Sequence, residues 1–283
     1  MIKKIETVKT LMDAMPFIKE FRDEIVVIKY GGSAQSSDDL KAKFAQDIVL
    51  LHLVGVKVVI VHGGGNRISQ LLGDLKIPTE FIDGERVSTP DVMRIVEMVL
   101  SGEINKEITS LLNSYGAKAI GISGKDAHFL KAKPKDEAKF GLTGRVTDVK
   151  ADVIHNLLRE GFIPVIAPIG ADEIVGHPGY NINADLAASA IAAAIGACKV
   201  IFMTDTPGVL NKEKELFSTL TEGEVEALKG DGTISGGMVP KVDACLEAVD
   251  GGVNKAHIID GRIEHAILLE IFTSDGVGTQ IVL

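Results

Sequence analysis

Tryptophan is absent from this chain of 283 residues, and aromatic residues make up only 5% of it. Such a composition supplies no stacking platform for single-stranded nucleic acid. An excess of positive charge is lacking too. The formal net charge is −9, which argues against a nucleic-acid backbone as partner. An anionic ligand must then be held by a local cationic pocket, because the field of the whole protein repels it. There are two cysteines, Cys198 and Cys245, far apart and outside any CxxC pattern. They read as small buried hydrophobes in a reducing compartment. No apolar run is long enough to span a bilayer, and Met1-Ile2-Lys3-Lys4 leads into an amphipathic pattern, not a continuous apolar one. The expectation is a cytoplasmic protein with no membrane partner.

Several motifs are missing as well. There is no GxxxxGKS/T phosphate loop and no GxGxxG fingerprint. His62-Gly63-Gly64-Gly65 resembles an oxyanion element of hydrolases, but no GxSxG nucleophile accompanies it. The seven histidines and two cysteines show no metal-ligand spacing. Serine-hydrolase and zinc chemistry are thereby disfavoured, and no metal site built from protein side chains is expected.

What is present is a substantial core, with 46% hydrophobic and 24% charged residues. Apolar runs at Val26–Ile28, Lys57–Val61, Ala119–Ser123, Phe162–Ala167, Val200–Asp205 and Ala256–Ile259 read as buried strands. Helical patterns alternate with them: Ser37 to Val54, Asn66 to Leu75, Pro90 to Tyr115, Lys150 to Glu160, an alanine-rich run to Ile195, and Met238 to Val249. This alternation predicts an α/β fold, a three-layer αβα sandwich with a mostly parallel sheet. Ile2, Ile5, Val8, Leu11, Met12 and Met15 recur at helical spacing before Pro16, with Phe17, Ile18 and Phe21 beyond it. That pattern predicts two short helices meeting at a kink. The stretch Phe129–Val149 reads as an excursion of hairpins, with Lys131, Lys133, Lys135 and Lys139 on a solvated face. Gly170–Pro178 receives no assignment.

Ligands collect beyond the carboxyl ends of parallel strands. The residues predicted there are Lys29, Gly31, Gly32, Gly63, Gly64, Gly65, Asn183, Asp185, Asp205 and the Gly236-Gly237 loop with Lys241. Glycine amides, two separated lysines and one carboxylate suit phosphoryl transfer, in which directed N–H groups and positive charge do most of the work.

Six motifs in order then carry a resemblance: Lys29-Tyr30-Gly31-Gly32, His62-Gly63-Gly64-Gly65, Gly84-Glu85-Arg86-Val87, Tyr180 to Asp185, Thr204-Asp205 with Gly208-Val209-Leu210, and Gly236 to Lys241. The chain resembles the amino acid kinase family, in the branch whose acceptor is N-acetyl-L-glutamate. The resemblance implies ATP as phosphoryl donor, with Mg2+ held mainly by the nucleotide. It implies that Lys29 and Lys241 stabilise the transferring group and that Asp185 orients them. Gly64, Gly65, Arg86, Asn181 and Asn183 would bind the acceptor, with Arg86 on its α-carboxylate. Gly31, Gly32, Thr204, Asp205, Gly208, Val209, Leu210, Thr233, Ser235, Gly236, Gly237 and Met238 would surround the nucleotide. It further implies three regions: a kinked N-terminal helix over 1–23, an acceptor lobe over 24–196 and a nucleotide lobe over 197–283. The N-terminal helix and the stretch Glu270 to Thr279, which includes Asp275, resemble those of arginine-inhibited members. They imply a dimer-based hexamer with arginine near Glu270, Gly276 and Gly278. Ser33 departs from the asparagine frequent in the family. The alternatives are a glutamate or aspartate kinase of the same fold and a catalytically silent nucleotide- or amino-acid-binding regulator. Retention of both Lys29 and Lys241 argues against the silent one.

Overall fold

A computed structural model describes residues 2–32, 35, 37–274 and 276–283. Ser33, Asp275 and the Ile2 side chain, singled out above, lie outside the described residues. The central sheet has eight strands: β1 (Ile25–Tyr30), β2 (Lys57–His62), β3 (Ala119–Ser123), β4 (Ile163–Ala167), β5 (Lys199–Thr204), β6 (Thr219–Thr221), β7 (Lys255–Asp260) and β8 (Thr279–Val282). Their order is β6-β8-β7-β5-β1-β2-β4-β3. Every neighbouring pair is parallel except β7 with β8. The expected α/β architecture with a mostly parallel sheet is therefore the one observed.

Side-chain alternation along β1 sets up the site. Val26, Ile28 and Tyr30 join the core on one face, with Phe44 and Ile48 of the helix Asp38–Leu53. Tyr30 stacks on Phe44 with ring centroids 3.8 Å apart. Val27 belongs to the other face, packed with Ala188 and Ile191 of the helix Ala184–Ala194 and with Val242 and Cys245 of Val239–Asp250. The period of two sends Lys29 to that second face. Burial on both sides explains why the strand reads as a continuous apolar run.

Local signals in the sequence account for several helix ends. Ser37 caps Asp38–Leu53 by accepting from the Leu40 amide, and Thr89 caps the next long helix ahead of Pro90. That long helix does not stay α throughout. It runs α over Pro90–Glu97, π over Met98–Ile104 and α again over Asn105–Ser114. At the N-terminus the predicted pair of helices is replaced by one continuous helix, Ile2–Phe21, with Pro16 inside it. Proline removes the bond to the carbonyl four residues earlier. That residue is Met12, which is 60% exposed, so water can take the freed carbonyl.

The expected excursion is present as a second sheet. Leu130–Pro134 and Thr143–Val149 pair antiparallel around a short helix, Glu137–Phe140, and Tyr180–Ile182 and Ile169–Gly170 complete the sheet. The lysines here do more than face solvent. Lys131 pairs with Glu173 at 2.9 Å, Lys135 with Glu85 at 2.8 Å and Lys139 with Asp83 at 2.8 Å. The stretch Gly170–Pro178 is tied down by Lys131 and by the Tyr180 hydroxyl, which donates to Asp172 Oδ2 at 2.6 Å.

Candidate active site

Lys29 lies one residue from the carboxyl end of β1, level with Val61 of β2 and Phe202 of β5. Its Nζ is 2.8 Å from Asp185 Oδ1, and Lys241 Nζ is 3.6 Å from Oδ2 of the same carboxylate. Asp185 is the second residue of the helix Ala184–Ala194. Asn183 fixes that helix start: its Oδ1 accepts from the amides of Asp185 at 2.8 Å and Leu186 at 3.3 Å. Lys241 lies in the first turn of Val239–Asp250. Lys29 and Asp185 are both buried. The Lys29 contact is a close ion pair. Burial pushes the Asp185 carboxyl upward, yet Lys29 and then Lys241 outweigh it and hold the group below the usual carboxylate range. Three charges predicted from three distant motifs thus meet at one point.

The glycines beside them are shaped by close approach. A Cβ on Gly31 would sit 2.7 Å from the Met203 carbonyl oxygen of β5. One on Gly64 would meet Ile104 Cδ1 at 2.5 Å and Leu100 Cδ2 at 2.6 Å. Gly65 is different, since nothing lies within 4 Å of its would-be Cβ. It opens the helix Gly65–Asp74, whose N-terminus has no side-chain cap. Its first amides are therefore donors for an anion. His62 is fully buried, and burial pushes its pKa down to about 4. As a neutral ring its Nδ1–H donates to the Gly63 carbonyl at 3.0 Å, and its Nε2 accepts from Asn105 Nδ2 at 3.2 Å. Asn105, at the end of the π segment, also donates to the Val165 carbonyl of β4 at 2.9 Å. The glycine loop is thereby anchored from beneath.

Arg86 comes from a small hairpin, Phe81–Ile82 with Glu85–Arg86. Its guanidinium is buried, and burial lowers its pKa. It donates to Thr79 Oγ1 at 2.7 Å, Ser69 Oγ at 2.8 Å and the Gly65 carbonyl at 3.1 Å. The Phe81 ring lies 4.6 Å from it. Among the described residues no carboxylate pairs with Arg86. A buried cation held only by neutral acceptors is prepared for an anion. Asn181 donates to Ser88 Oγ at 3.1 Å, Ser88 shares a hydrogen bond with Thr143 Oγ1 at 2.8 Å, and Thr143 donates to the Arg86 carbonyl at 2.5 Å. The sequence reading missed Ser69, Thr79, Ser88 and Thr143. No local pattern marks them: the partners of Ser69, Ser88 and Thr143 are distant along the chain, and Thr79, seven residues from Arg86, fits no motif.

On the other side of β1, Thr204 ends β5 and is buried, with its hydroxyl 3.2 Å from Asp205 Oδ1. Asp260 stands level with Thr204 at the end of β7 and pairs with Arg262 at 2.7 Å. Gly208 has φ +146°, and a Cβ there would meet Thr279 Oγ1 at 2.5 Å. Val209 donates its amide to the same hydroxyl, and Leu210 bridges to Leu216. Thr233 donates its amide to Asp231. Ser235 precedes the single turn Gly236–Met238, which leads directly into the helix that carries Lys241. Gly236 has φ +55°. No group of three or more His, Cys, Asp or Glu side chains suited to a metal occurs among the described residues.

Glu270, Gly276 and Gly278 gather elsewhere. They line a cavity of about 660 Å3 together with Phe17, Glu20 and Phe21 of the N-terminal helix. Glu270 Oε1 is 2.5 Å from His257 Nδ1 and 3.5 Å from Lys199 Nζ, and its Oε2 accepts from the Val277 amide at 3.1 Å. Burial raises the Glu270 carboxyl, but His257 and then Lys199 draw it below its ordinary value. Gly276 is required beside it: its φ is +61°, and a Cβ would lie 2.7 Å from Glu270 Oε2.

Comparison with known proteins gives the family and the fold. The model of the amino acid kinase family matches residues 24–260. An acetylglutamate kinase from Sulfurimonas denitrificans is 72% identical over 283 residues, covering 100% of both chains. Among solved structures, the N-acetylglutamate synthase from Neisseria gonorrhoeae, complexed with coenzyme A and N-acetyl-glutamate, aligns with a TM-score of 0.86 at 22% identity. That alignment covers 98% of this chain and 63% of the synthase, so the shared part is a fold within a longer protein. Carbamate kinase from Giardia lamblia bound to AMP-PNP aligns with a TM-score of 0.69 at 20% identity, over 92% of this chain and 98% of that one.

Proposed function

The chain belongs to the amino acid kinase family, and from that premise we infer that it transfers the γ-phosphoryl group of ATP to the γ-carboxylate of N-acetyl-L-glutamate. The product is N-acetyl-L-glutamyl 5-phosphate, and the reaction is that of the acetylglutamate kinases of arginine biosynthesis, to which the chain is similar over its full length. The observation that carries the chemistry is the convergence of Lys29 and Lys241 on the buried Asp185. The acceptor carboxylate is already an anion at neutral pH, so no general base is needed. Two ammonium groups stabilise the charge that spreads over the transferring oxygens, and one carboxylate keeps both in register. The amides from Gly65 onward have no side-chain cap, and Gly31 lies beside the Lys29 ammonium. Magnesium carried on the nucleotide would neutralise the phosphate oxygens.

In this reading Arg86 grips the acceptor α-carboxylate. Asn181 holds a polar group of the acceptor, and Asn183 contributes by fixing the helix start under Asp185. Residues 24–196 form the acceptor lobe and 197–283 the nucleotide lobe, with Thr204 to Leu210 and Thr233 to Met238 around ATP. Release of ADP, followed with N-acetyl-L-glutamate, L-glutamate, L-aspartate and carbamate in turn, tests it. Turnover is expected with the acetylated substrate. Turnover of unacetylated glutamate alone would move the chain to another acceptor, and no turnover with any of the four would overturn the catalytic reading.

The same reading assigns the cavity at Glu270 to arginine, as an end-product inhibitor. Support comes from its lining: beside the paired Glu270 and Lys199, Glu20 and Glu24 offer carboxylates for a guanidinium and an ammonium, and Lys255 offers a cation for a carboxylate. The N-terminal helix that borders the cavity leaves Ile5, Val8, Leu11 and Met12 exposed. We assign that apolar stripe to contact between copies, in a hexamer built from dimers. No described helix is long and apolar enough to cross a membrane.

A further inference from the structure

The hairpin that bears Arg86 is attached at its base, through Arg86 itself to Thr143, Ser69 and Gly65, and at its tip. At its base the Ser88 amide donates to the Phe140 carbonyl at 3.0 Å, and the Leu142 amide donates to Ser88 O at 2.7 Å. Its two strands form a sheet of their own, with no ladder to either larger sheet. The tip is a two-residue turn, Asp83 at φ +52° and Gly84 at φ +80°. Backbone bonding alone would leave that tip free to swing.

Two lysines hold it. Lys139 Nζ is 2.8 Å from Asp83 Oδ2, and Lys135 Nζ is 2.8 Å from Glu85 Oε1. Both ammonium groups also lie over the Phe140 ring, at 5.3 Å for Lys135 and 4.9 Å for Lys139. Phe140 is buried, so this ring is a fixed platform. Glu85 adjoins Arg86, and Phe81, opposite Arg86 in the hairpin, places its ring against the guanidinium. Movement of the tip would therefore carry away one wall of the Arg86 site. The Glu85 side chain is 19% exposed against 77% for Asp83, so the Lys135 pair is the less screened of the two.

We propose that Lys135 and Lys139 are positioning residues for the acceptor: they clamp the tip of the hairpin Phe81–Arg86 and so hold the Arg86 guanidinium where the acceptor carboxylate meets it. The proposal rests on the acceptor-binding reading of Arg86. It gives the lysine-rich stretch a task in substrate binding while keeping it out of the chemical step.

The test uses the full-length chain. In Lys135→Ala/Lys139→Ala the KM for N-acetyl-L-glutamate should rise about three- to tenfold, the scale of two partly exposed ion pairs, with kcat and the KM for ATP within about twofold. Lys135→Ala alone should have the larger share. Lys135→Glu should raise the acceptor KM further, and Lys135→Glu combined with Glu85→Lys should bring it back toward the wild-type value. Loss of mere packing would not be restored by exchanging the charges. Hydrogen–deuterium exchange over residues 81–86 should quicken in the double alanine variant and recover in the exchanged pair. An unchanged acceptor KM, or no recovery on charge exchange, overturns the proposal. If the wild-type chain does not turn over the acceptor, the functional reading fails by itself, and hairpin exchange unaffected by the alanines then overturns the clamp separately.

Discussion

Replacing Asp185 by asparagine removes one negative charge and almost no volume, from a point where two ammonium groups meet. At 2.8 Å and 3.6 Å, the two attractions are worth about 6 and about 5 kcal/mol in gross terms at an effective dielectric of about 20. Desolvation offsets most of that sum, and removing one partner from a buried pair costs about 3–5 kcal/mol net. The Lys241 side chain is 22% exposed and Lys29 only 11%. Lys241 can turn to water while Lys29 stays unpaired, which favours the lower end, about 3 kcal/mol. For a chain of this size that lowers Tm by roughly 5 °C. With both ammonium groups out of register, kcat should fall about 100-fold. Both KM values should move only a few-fold, because Arg86 and the nucleotide segments are untouched. Calorimetry and an ADP-release assay on one preparation measure both effects. A wild-type kcat would remove Asp185 from catalysis whatever the Tm, and a Tm change under about 2 °C would show that the carboxylate does not hold the two lysines together.

Three further outcomes are expected. Gly65→Ala should keep the wild-type Tm, since its Cβ meets nothing within 4 Å, yet lower kcat/KM if the space belongs to ligand. Gly31→Ala should destabilise by about 1–3 kcal/mol, because its Cβ would lie 2.7 Å from a backbone oxygen; equal melting of the two variants would refute the distinction. Two buried groups should tilt the pH profile of stability in opposite directions. His62, pushed down to about 4 by burial, is neutral in the fold and charged when unfolded below about pH 6.5, so it removes about 1.4 kcal/mol per pH unit as pH falls from there to about 4. Asp47, raised to about 6 by burial despite its contact with His265, contributes stability below about pH 4 that is lost as pH rises through about 6. His62→Gln should therefore flatten acid destabilisation and Asp47→Asn should steepen it, as read from chemical denaturation between pH 4 and 7. Finally, deletion of residues 1–23 should convert hexamers to dimers and weaken inhibition by arginine, measured by light scattering and by rate; unchanged hexamers would overturn the assignment of the N-terminal helix.

The parts legible in the sequence were those with a local cause. Val26–Ile28 is apolar in every position because both faces of β1 are covered, and Asp38 and Asp39 follow a serine that does cap their helix. Lys29, Asp185 and Lys241 were recognisable because each ends a strand or opens a helix, and a parallel sheet brings such places together. The remainder depends on pairings that no window of sequence contains. The Asn181 to Ser88 bond spans 93 residues, and the hydroxyls around Arg86 are ordinary serines and threonines until the fold assembles them. The lysines at 135 and 139 looked like a solvated face because their partners sit on a distant hairpin. The split expected at Pro16 does not occur, since one helix runs through it and the carbonyl that proline frees belongs to the exposed Met12.

The π turn at Met98–Ile104 has a bearing on what length this chain can have. In an α-helix each residue advances the rotation by about 100°. A π turn holds one residue more than the α turn it replaces, so losing one residue from it would return it to α geometry and leave all that follows in nearly the same phase. Asn105 would keep its place between His62 and Val165, and Ile108 and Leu112 would stay buried, whereas a residue lost from Asn105–Ser114 would turn everything after it by that angle. Exchange of side chains in this segment changes packing, whereas its width gives the chain one residue that can be shed without putting the downstream helix out of phase with the glycine loop it supports.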